Sequence, residues 1–152
     1  MPDAIDTDRL ILVVTGAHLR SEVGDRPLAY KLRQSMIDWM DRHFGSDQRP
    51  YTVVVSSDIW VMNNDELRGC PTVSIGGPGV NAFAAYLADK LESAFVVEDV
   101  LMVQLDLDFD DLIASCWGMD HASTVAAVSA FEDKYLDGFM EAAMLRMDVE
   151  ID

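Results

Sequence analysis

The sequence has few of the cysteine and histidine residues that form disulfide bonds or bind structural metal ions. It contains two cysteines in 152 residues, Cys70 and Cys116, and neither lies in a Cys-x-x-Cys motif or a Cys/His cluster with metal-ligand spacing. We expect buried, reduced thiols and no metal site, and a disulfide has no pattern to support it. A chain of this length buries roughly 70% of its unfolded surface and can fold without a disulfide bond or a structural metal ion.

Long apolar runs and a leader segment are also missing. The longest apolar runs are only a few residues, whereas a membrane helix needs about 20. The first residues, Met1 to Asp6, are acidic and carry neither the basic region nor the apolar segment of a secretory signal. We therefore expect a cytoplasmic protein with no membrane partner.

Basic side chains are scarce. Lys and Arg number 11 against 27 Asp and Glu, which gives a formal net charge of −16. This balance argues against nucleic acid, whose binding depends on basic side chains that neutralise phosphates. The first 50 residues hold 7 of the basic and 8 of the acidic side chains, so an anionic ligand would be met there. A solvated acidic surface, as in a salty cytoplasm, is the alternative explanation of the charge.

Half of the residues are apolar and a quarter are charged, which excludes a disordered tail, a fibre or a coiled coil. No repeat or linker is visible. We predict one domain, 1–152, with 1–8 as a loose N-terminal arm. The continuous apolar run Leu10 to Val14 is typical of a strand buried on both faces. Five further strands are predicted at 53–55, 72–75, 94–97, 101–105 and 112–117.

Three helices are predicted between these strands. Asp25 is expected to cap the first, which has Pro27 in its first turn and ends at Gly45. The second covers about 80–91. Asp120 is expected to cap a single long final helix with an apolar stripe from Val125 to Phe139. Residues 58–67 are predicted to be an irregular loop with one helical turn.

The alternation of strands and helices predicts an α/β fold, namely a three-layer, Rossmann-like sandwich. Its sheet would be mostly parallel with five or six strands and a hairpin near 94–117. In such sheets ligands bind beyond the carboxyl ends of the strands. That edge should collect the loops 15–26, 56–66, 76–81 and 117–121.

The glycine-rich turn after the third strand is the sharpest motif. Gly77, Gly79 and Ala82 match G-x-G-x-x-A, and Gly76 and Asn81 lie in the same turn. Glycines let backbone amides approach a phosphate at a helix start. We predict no cofactor, although a nucleotide would be compatible with this turn. The alternative is a tight strand–helix turn in which Asn81 binds the backbone.

The loop 15–26 is the best place for a reaction. His18 and Glu22 are the candidate acid/base residues. Arg20 and Arg26 are candidates to clamp a carboxylate or phosphate. A salt-bridged surface loop is the alternative.

Asp120 opens the last helix beside the same edge and is a candidate ligand contact as well as a cap. In the loop 56–66, Trp60 and Asn63 could stack on and hydrogen-bond a base, with ordinary packing as the alternative. The acidic run Gln104 to Asp111 lacks the glycine and the final glutamate of a calcium loop. We interpret this run as a strand end with one face in water.

Two stretches resemble one family. Residues 75–81 (Ile-Gly-Gly-Pro-Gly-Val-Asn) and 118–127 (G-x-D-x-x-x-T-x-x-A) are similar to segments of the α/β modules of archaeal surface-layer proteins. The resemblance covers residues 72–136 and implies an α/β fold with no catalytic role. The absence of a signal segment and of surrounding β-domains departs from that family.

No complete catalytic constellation is present. The sequence therefore favours a non-catalytic module that binds a small anionic ligand, a nucleotide or phosphate, or a protein partner at the carboxyl edge. Two alternatives stay open. One is an enzyme that cleaves or transfers glycosidic bonds of nucleosides or nucleotides with the 15–26 loop. The other is a structural assembly module, for which the nine methionines and a homo-oligomer would be suitable.

Overall fold

The computed structural model describes residues 7–147. Most of the expected N-terminal arm, 1–8, lies outside the described residues. The described part begins with a short 3₁₀ helix, Thr7–Arg9, which leads directly into the first strand.

All six predicted strands are present in one sheet. They are β1 (Leu10–Thr15), β2 (Thr52–Ser57), β3 (Thr72–Ile75), β4 (Ser93–Val97), β5 (Leu101–Leu105) and β6 (Ile113–Gly118). Their order is β2-β1-β3-β6-β5-β4. β1 pairs in parallel with β2 and β3, and β3 pairs in parallel with β6. β4, β5 and β6 are antiparallel neighbours, so the expected hairpin near 94–117 is confirmed. The fold is therefore α/β with a mixed sheet.

Every residue of β1 is buried, as its continuous apolar run predicts. Successive side chains of a strand point to opposite faces of the sheet. Accordingly, Ile11 and Val13 belong to one hydrophobic cluster, while Leu10, Leu12 and Val14 belong to another. The sheet thus has an apolar core on each side.

The larger core contains three helices. They are α1 (Arg26–Phe44), α4 (His121–Lys134) and α5 (Leu136–Arg146). The buried stripe of α1 includes Leu28, Leu32, Met36 and Met40, at the helical spacing seen in the sequence. The helix stops at Gly45, whose φ of 85° lies in the left-handed region that favours glycine.

The start of the first helix corrects the sequence prediction. Residues 19 and 20 are already helical, and Ser21–Asp25 forms a π-helical turn that runs straight into α1. Asp25 therefore has helical backbone angles, φ −82° and ψ −34°, and its side chain makes no capping hydrogen bond. A cap needs extended backbone, so Asp25 cannot serve as one.

The helices of the smaller core are short. They are α2 (Asp58–Met62) and α3 (Ala82–Leu87), and a 3₁₀ turn, Asp65–Leu67, follows α2. The predicted helix 80–91 is thus too long at both ends. The chain still turns at Val80, whose amide donates to the carbonyl of Gly77 at 3.1 Å. Asn81 is extended and caps α3 through its side chain.

The predicted single final helix is also wrong, because it is two helices. Asp120 caps α4 as expected, accepting from the Ser123 amide at 2.8 Å. At Tyr135 the φ of −128° leaves the helical region and separates α4 from α5. The break lets Phe131 and Phe139 meet edge to face, with ring centroids 5.7 Å apart. Tyr51 fixes α5 by donating to the carbonyl of Ala143 at 2.8 Å.

Both cysteines are free and buried, as predicted. The acidic run Gln104 to Asp111 is a strand end only in its first two residues, because β5 stops at Leu105 and the remaining residues form a turn. The Asp106 carboxylate accepts from the backbone amides of Asp108, Asp110 and Asp111. Between residues 7 and 147, no helix is both long and apolar enough to cross a membrane.

Candidate functional site

The strand order reverses at the centre of the sheet. From β1 the chain moves outward to β2, and it then crosses back to β3 on the other side of β1. In open α/β sheets, ligands bind in the crevice at the carboxyl end of such a reversal. A cavity of ≈ 840 Å³ lies there. Its lining comes from three of the four predicted loops: Leu19, Arg20, Val23, Gly24, Asp25, Gly77, Pro78, Gly79, Val80, Trp117, Gly118, Met119, Asp120, His121 and Thr124.

The cavity changes in character with depth. Asp25 and Thr124 are the buried members of its lining. Gly77, Val80 and Trp117 are half-buried, whereas the charged residues Arg20, Asp120 and His121 are exposed. The site therefore has a polar floor, largely apolar walls and a charged mouth.

Three large apolar side chains surround the mouth. Leu19 is 81% exposed, Val23 82% and Met119 72%. Leu19 and Val23 are four residues apart in the helical segment before α1, a spacing that brings side chains to one side of a helix. A cluster of exposed apolar groups marks a binding surface more often than single ones do.

Asp25 is the unexpected member of the site. It is only 8% exposed and lies beside Gly76, where an added Cβ would come 2.6 Å from its Oδ2 atom. Gly76 also has a φ of 104°, so glycine is required there for two reasons. Burial raises the pKa of Asp25, and this is opposed by a hydrogen bond with the Ser21 side chain and by the charge of His121.

His121 and Asp120 begin α4 at the other side of the mouth. A Cβ on Gly24 would lie 3.0 Å from Nδ1 of His121, so the π-helical turn packs closely against this imidazole. Hydrogen bonds from the backbone and hydroxyl of Ser123 hold the pKa of Asp120 below its ordinary value. The Asp120 carboxylate is thus a charged group at the mouth as well as a cap.

A buried carboxylate outside the cavity holds the loops together. Asp58, at the start of α2, accepts from the amide of Ala17 at 3.0 Å through Oδ1. Its Oδ2 accepts from the amide of Ala82 at 2.7 Å. The loops that follow β1, β2 and β3 are therefore joined through one side chain.

Gly77 and Gly79 of the glycine turn line the cavity, whereas Gly76 and Asn81 do not, and the helix start beside them is already occupied. The amides of Phe83 and Ala84 donate to Asn81 Oδ1, and that of Ala82 donates to Asp58. The Asn81 amide group donates in turn to the carbonyl of Ile75 at 2.9 Å and to Ser74 Oγ at 3.0 Å. Asn81 is thus fully used within the protein, as the structural alternative anticipated. An anion at this site needs a different partner.

The other predicted site residues lie partly inside and partly outside the cavity lining. Arg20 lines the cavity, whereas His18, Glu22 and Arg26 do not. His18 Nδ1 accepts from the Arg20 amide at 3.2 Å. Glu22 pairs with Arg26 at 3.4 Å on the surface, which matches the salt-bridged alternative for this loop. Trp60 and Asn63 also lie outside the lining.

Asp25, Trp117 and Asp58 were not singled out as site residues from the sequence. Asp25 was assigned to a cap, and Trp117 was assigned to an ordinary strand. The only signal for Asp58 was its place directly after a strand, which is where carboxyl-edge residues occur.

Within residues 7–147, no three His, Cys, Asp or Glu side chains come together in a group that could hold a metal ion. Comparison of the chain with protein-family models, with curated proteins and with solved structures gives no match.

Proposed function

We propose that the chain is a binding module for a small organic anion, held in the cavity at the carboxyl edge of the sheet. The observation that carries the proposal is the cavity itself, which three loops form at the point where the strand order reverses. Its apolar walls suit the body of such a molecule, since binding pockets combine mainly apolar surface with a few polar groups.

The guanidinium of Arg20 is the proposed partner of the anionic group. It is exposed at the cavity mouth, and no salt bridge involves it in the described part of the chain. Guanidinium groups bind carboxylate and phosphate with two parallel hydrogen bonds. This replaces the start of α3 as the anion's contact, because the amides there already have partners.

The proposal is tested with 8-anilinonaphthalene-1-sulfonate, an aromatic molecule with one anionic group. Its fluorescence should rise on saturable binding to the wild type. Gly79→Asp places a negative side chain at the cavity where an added Cβ meets no atom within 4 Å, so the fold should be kept. We expect it to weaken binding at least tenfold.

Gly69→Asp is the matched control, because Gly69 also has open space around its Cβ position and lies outside this cavity. It adds the same charge and should leave binding unchanged. Equal affinity of the wild type and Gly79→Asp would contradict the proposal.

The remaining predictions stay proposals. Two hydrophobic clusters support the three-layer, Rossmann-like interpretation. They use alternate residues of β1 and contain residues of different helices. The resemblance to surface-layer modules, the cytoplasmic location and the assembly alternative have no further support. The enzyme alternative with His18 and Glu22 would need these side chains to act outside the cavity described above.

A further inference from the structure

We propose that Asp25 selects the ligand, and that the buried end of the ligand is a flat ring edge with two adjacent N–H donors, as in guanine. This inference rests on the proposed function, because it assumes that the cavity is the binding site. It adds a chemical class, a purine nucleoside monophosphate, to that function.

The first step is the unmet capacity of the Asp25 carboxyl group. A carboxylate offers two oxygens and accepts bidentately, yet a buried charge is tolerated only when it is well paired. The Ser21 side chain is a hydrogen-bonding neighbour, but its single hydroxyl proton is donated to the Val80 carbonyl at 3.3 Å, and His121 acts on Asp25 through its charge. Asp25 is more than nine-tenths buried in the cavity lining. A ligand with N–H donors would therefore give its carboxylate oxygens hydrogen bonds in addition to those from the protein.

The second step concerns the shape of the ligand. The walls include the ring of Trp117 and the backbone of Gly77, which bears no side chain; a Cβ there would lie 3.4 Å from the Trp117 ring. Leu19 and Val23 add aliphatic surface at the mouth. Aromatic rings pack on one another in offset or edge-to-face arrangements, so the Trp117 ring suits a planar heteroaromatic body.

The two ends of the cavity differ in charge. The guanidinium of Arg20 is exposed at the mouth, whereas the Asp25 carboxyl is at the buried floor. The Asp120 carboxylate is also at the mouth, but its Oδ1 atom accepts from the backbone and the hydroxyl of Ser123. A guanine-type edge at Asp25 and a phosphate at Arg20 therefore satisfy both ends of the cavity.

The test is isothermal titration calorimetry with guanosine, inosine and xanthosine monophosphates. Inosine monophosphate lacks the 2-amino group, so the wild type should bind guanosine monophosphate at least tenfold more tightly. In Asp25→Asn the side-chain amide donates where the 2-amino group also donates, and it suits the 2-carbonyl of xanthine instead. The preference for guanosine monophosphate should then be lost, or reversed in favour of xanthosine monophosphate.

The phosphate contact has its own measurement. Arg20→Ala should weaken guanosine monophosphate binding at least fivefold and leave guanosine binding unchanged. Equal wild-type affinities for the guanine and hypoxanthine nucleotides, no binding of either, or a guanine preference retained in Asp25→Asn would overturn the inference. If the sulfonate dye still binds in a Gly79-dependent way, the proposed function survives that result. If the dye fails as well, both fall.

Discussion

The carboxylate of Asp58 accepts a hydrogen bond of 2.7 Å from the backbone amide of Ala82, 24 residues further along the chain. The same carboxylate accepts from the amide of Ala17 at 3.0 Å. It therefore connects three loops at the carboxyl edge of the sheet, two of which line the cavity. Because its oxygens serve backbone donors, Asp58 acts through the positions of the loops and does not need to contact a ligand.

Asp58→Ala should destabilise the fold. The change leaves the amides of Ala17, Ile59 and Ala82 without this acceptor. Hydrogen bonds to a charged acceptor contribute about 1.5–3 kcal/mol each, and water replaces part of this loss because the three residues are exposed, so we expect a net loss of about 3 kcal/mol. For a domain of this size, that lowers Tm by roughly 6–12 °C at about 2–4 °C per kcal/mol.

The matched control is Asp65→Ala, since the Asp65 side chain is 93% exposed and makes a surface pair with Arg68. Differential scanning calorimetry should give it the Tm of the wild type within about a degree, because exposed pairs contribute little. A similar Tm for both variants would mean that Asp58 does not hold the loops.

Two glycines of the cavity region should differ sharply in tolerance. A Cβ on Gly16 would lie 1.8 Å from the backbone oxygen of Val80, so Gly16→Ala must displace main chain. We expect a loss of about 3 kcal/mol or more in urea unfolding. Gly79→Ala meets no atom within 4 Å and should stay within about 0.5 kcal/mol of the wild type. Equal losses would place the Gly79 backbone in a crowded environment, contrary to the structure.

Asp25→Asn should raise stability at neutral pH. Burial holds the folded-state pKa of Asp25 above its unfolded value of about 3.9. The favourable contribution of the protonated carboxyl is complete below the unfolded pKa and is lost as pH rises through the folded pKa. At neutral pH the variant therefore avoids a buried charge, and its Tm should be higher by about 2–4 °C for each kcal/mol gained.

The pH dependence of that gain is the control. As pH falls towards about 3.9, the wild-type carboxyl becomes protonated and the Tm difference should disappear. The charge of His121 lowers the pKa of Asp25 and so opposes the effect of burial; Arg20 and Asp120 are the other charged groups lining the cavity. A variant that is less stable than the wild type at neutral pH would contradict this account.

The thiols should be unreactive in the folded protein. Burial raises the pKa of both Cys70 and Cys116, and Cys70 Sγ donates to the carbonyl of Thr7 at 3.2 Å. Because the thiolate is the nucleophile, a disulfide reagent should label neither cysteine at mildly alkaline pH. Both should react in guanidinium chloride. Rapid native labelling of either one would show that its burial is not maintained in solution.

The strands were the most predictable part of the fold, for a physical reason. A run such as Leu10 to Val14 needs apolar contacts on both faces, which only an interior strand provides. The hairpin near 94–117 followed from three consecutive strands with no room for a helix. Helix ends were less predictable. The π-helical turn before α1 and the break at Tyr135 depend on packing between distant segments, which periodicity does not record.

The edge of the sheet that forms the cavity was predictable, but its most buried charge was not. Asp25, Gly76 and His121 are separated by about 50 residues at each step, and only the strand order β1-β3-β6 brings them together. A local pattern assigned Asp25 to a cap because it precedes Pro27. The same local pattern predicts a phosphate at the start of α3. The first amide there donates to Asp58, which comes from another strand end, and the next two donate to Asn81.

The most direct measurement is a ¹⁵N–¹H correlation spectrum recorded during titration with 8-anilinonaphthalene-1-sulfonate. Glycine amides resonate in a separate region of the spectrum, and the chain has glycines both inside and outside the cavity lining. The amides of Gly24, Gly77, Gly79 and Gly118, which line the cavity, should shift progressively with the dye. Those of Gly45, Gly69 and Gly138 should not. Shifts confined to the second group, or no saturable shifts at all, would contradict a binding site at this edge of the sheet.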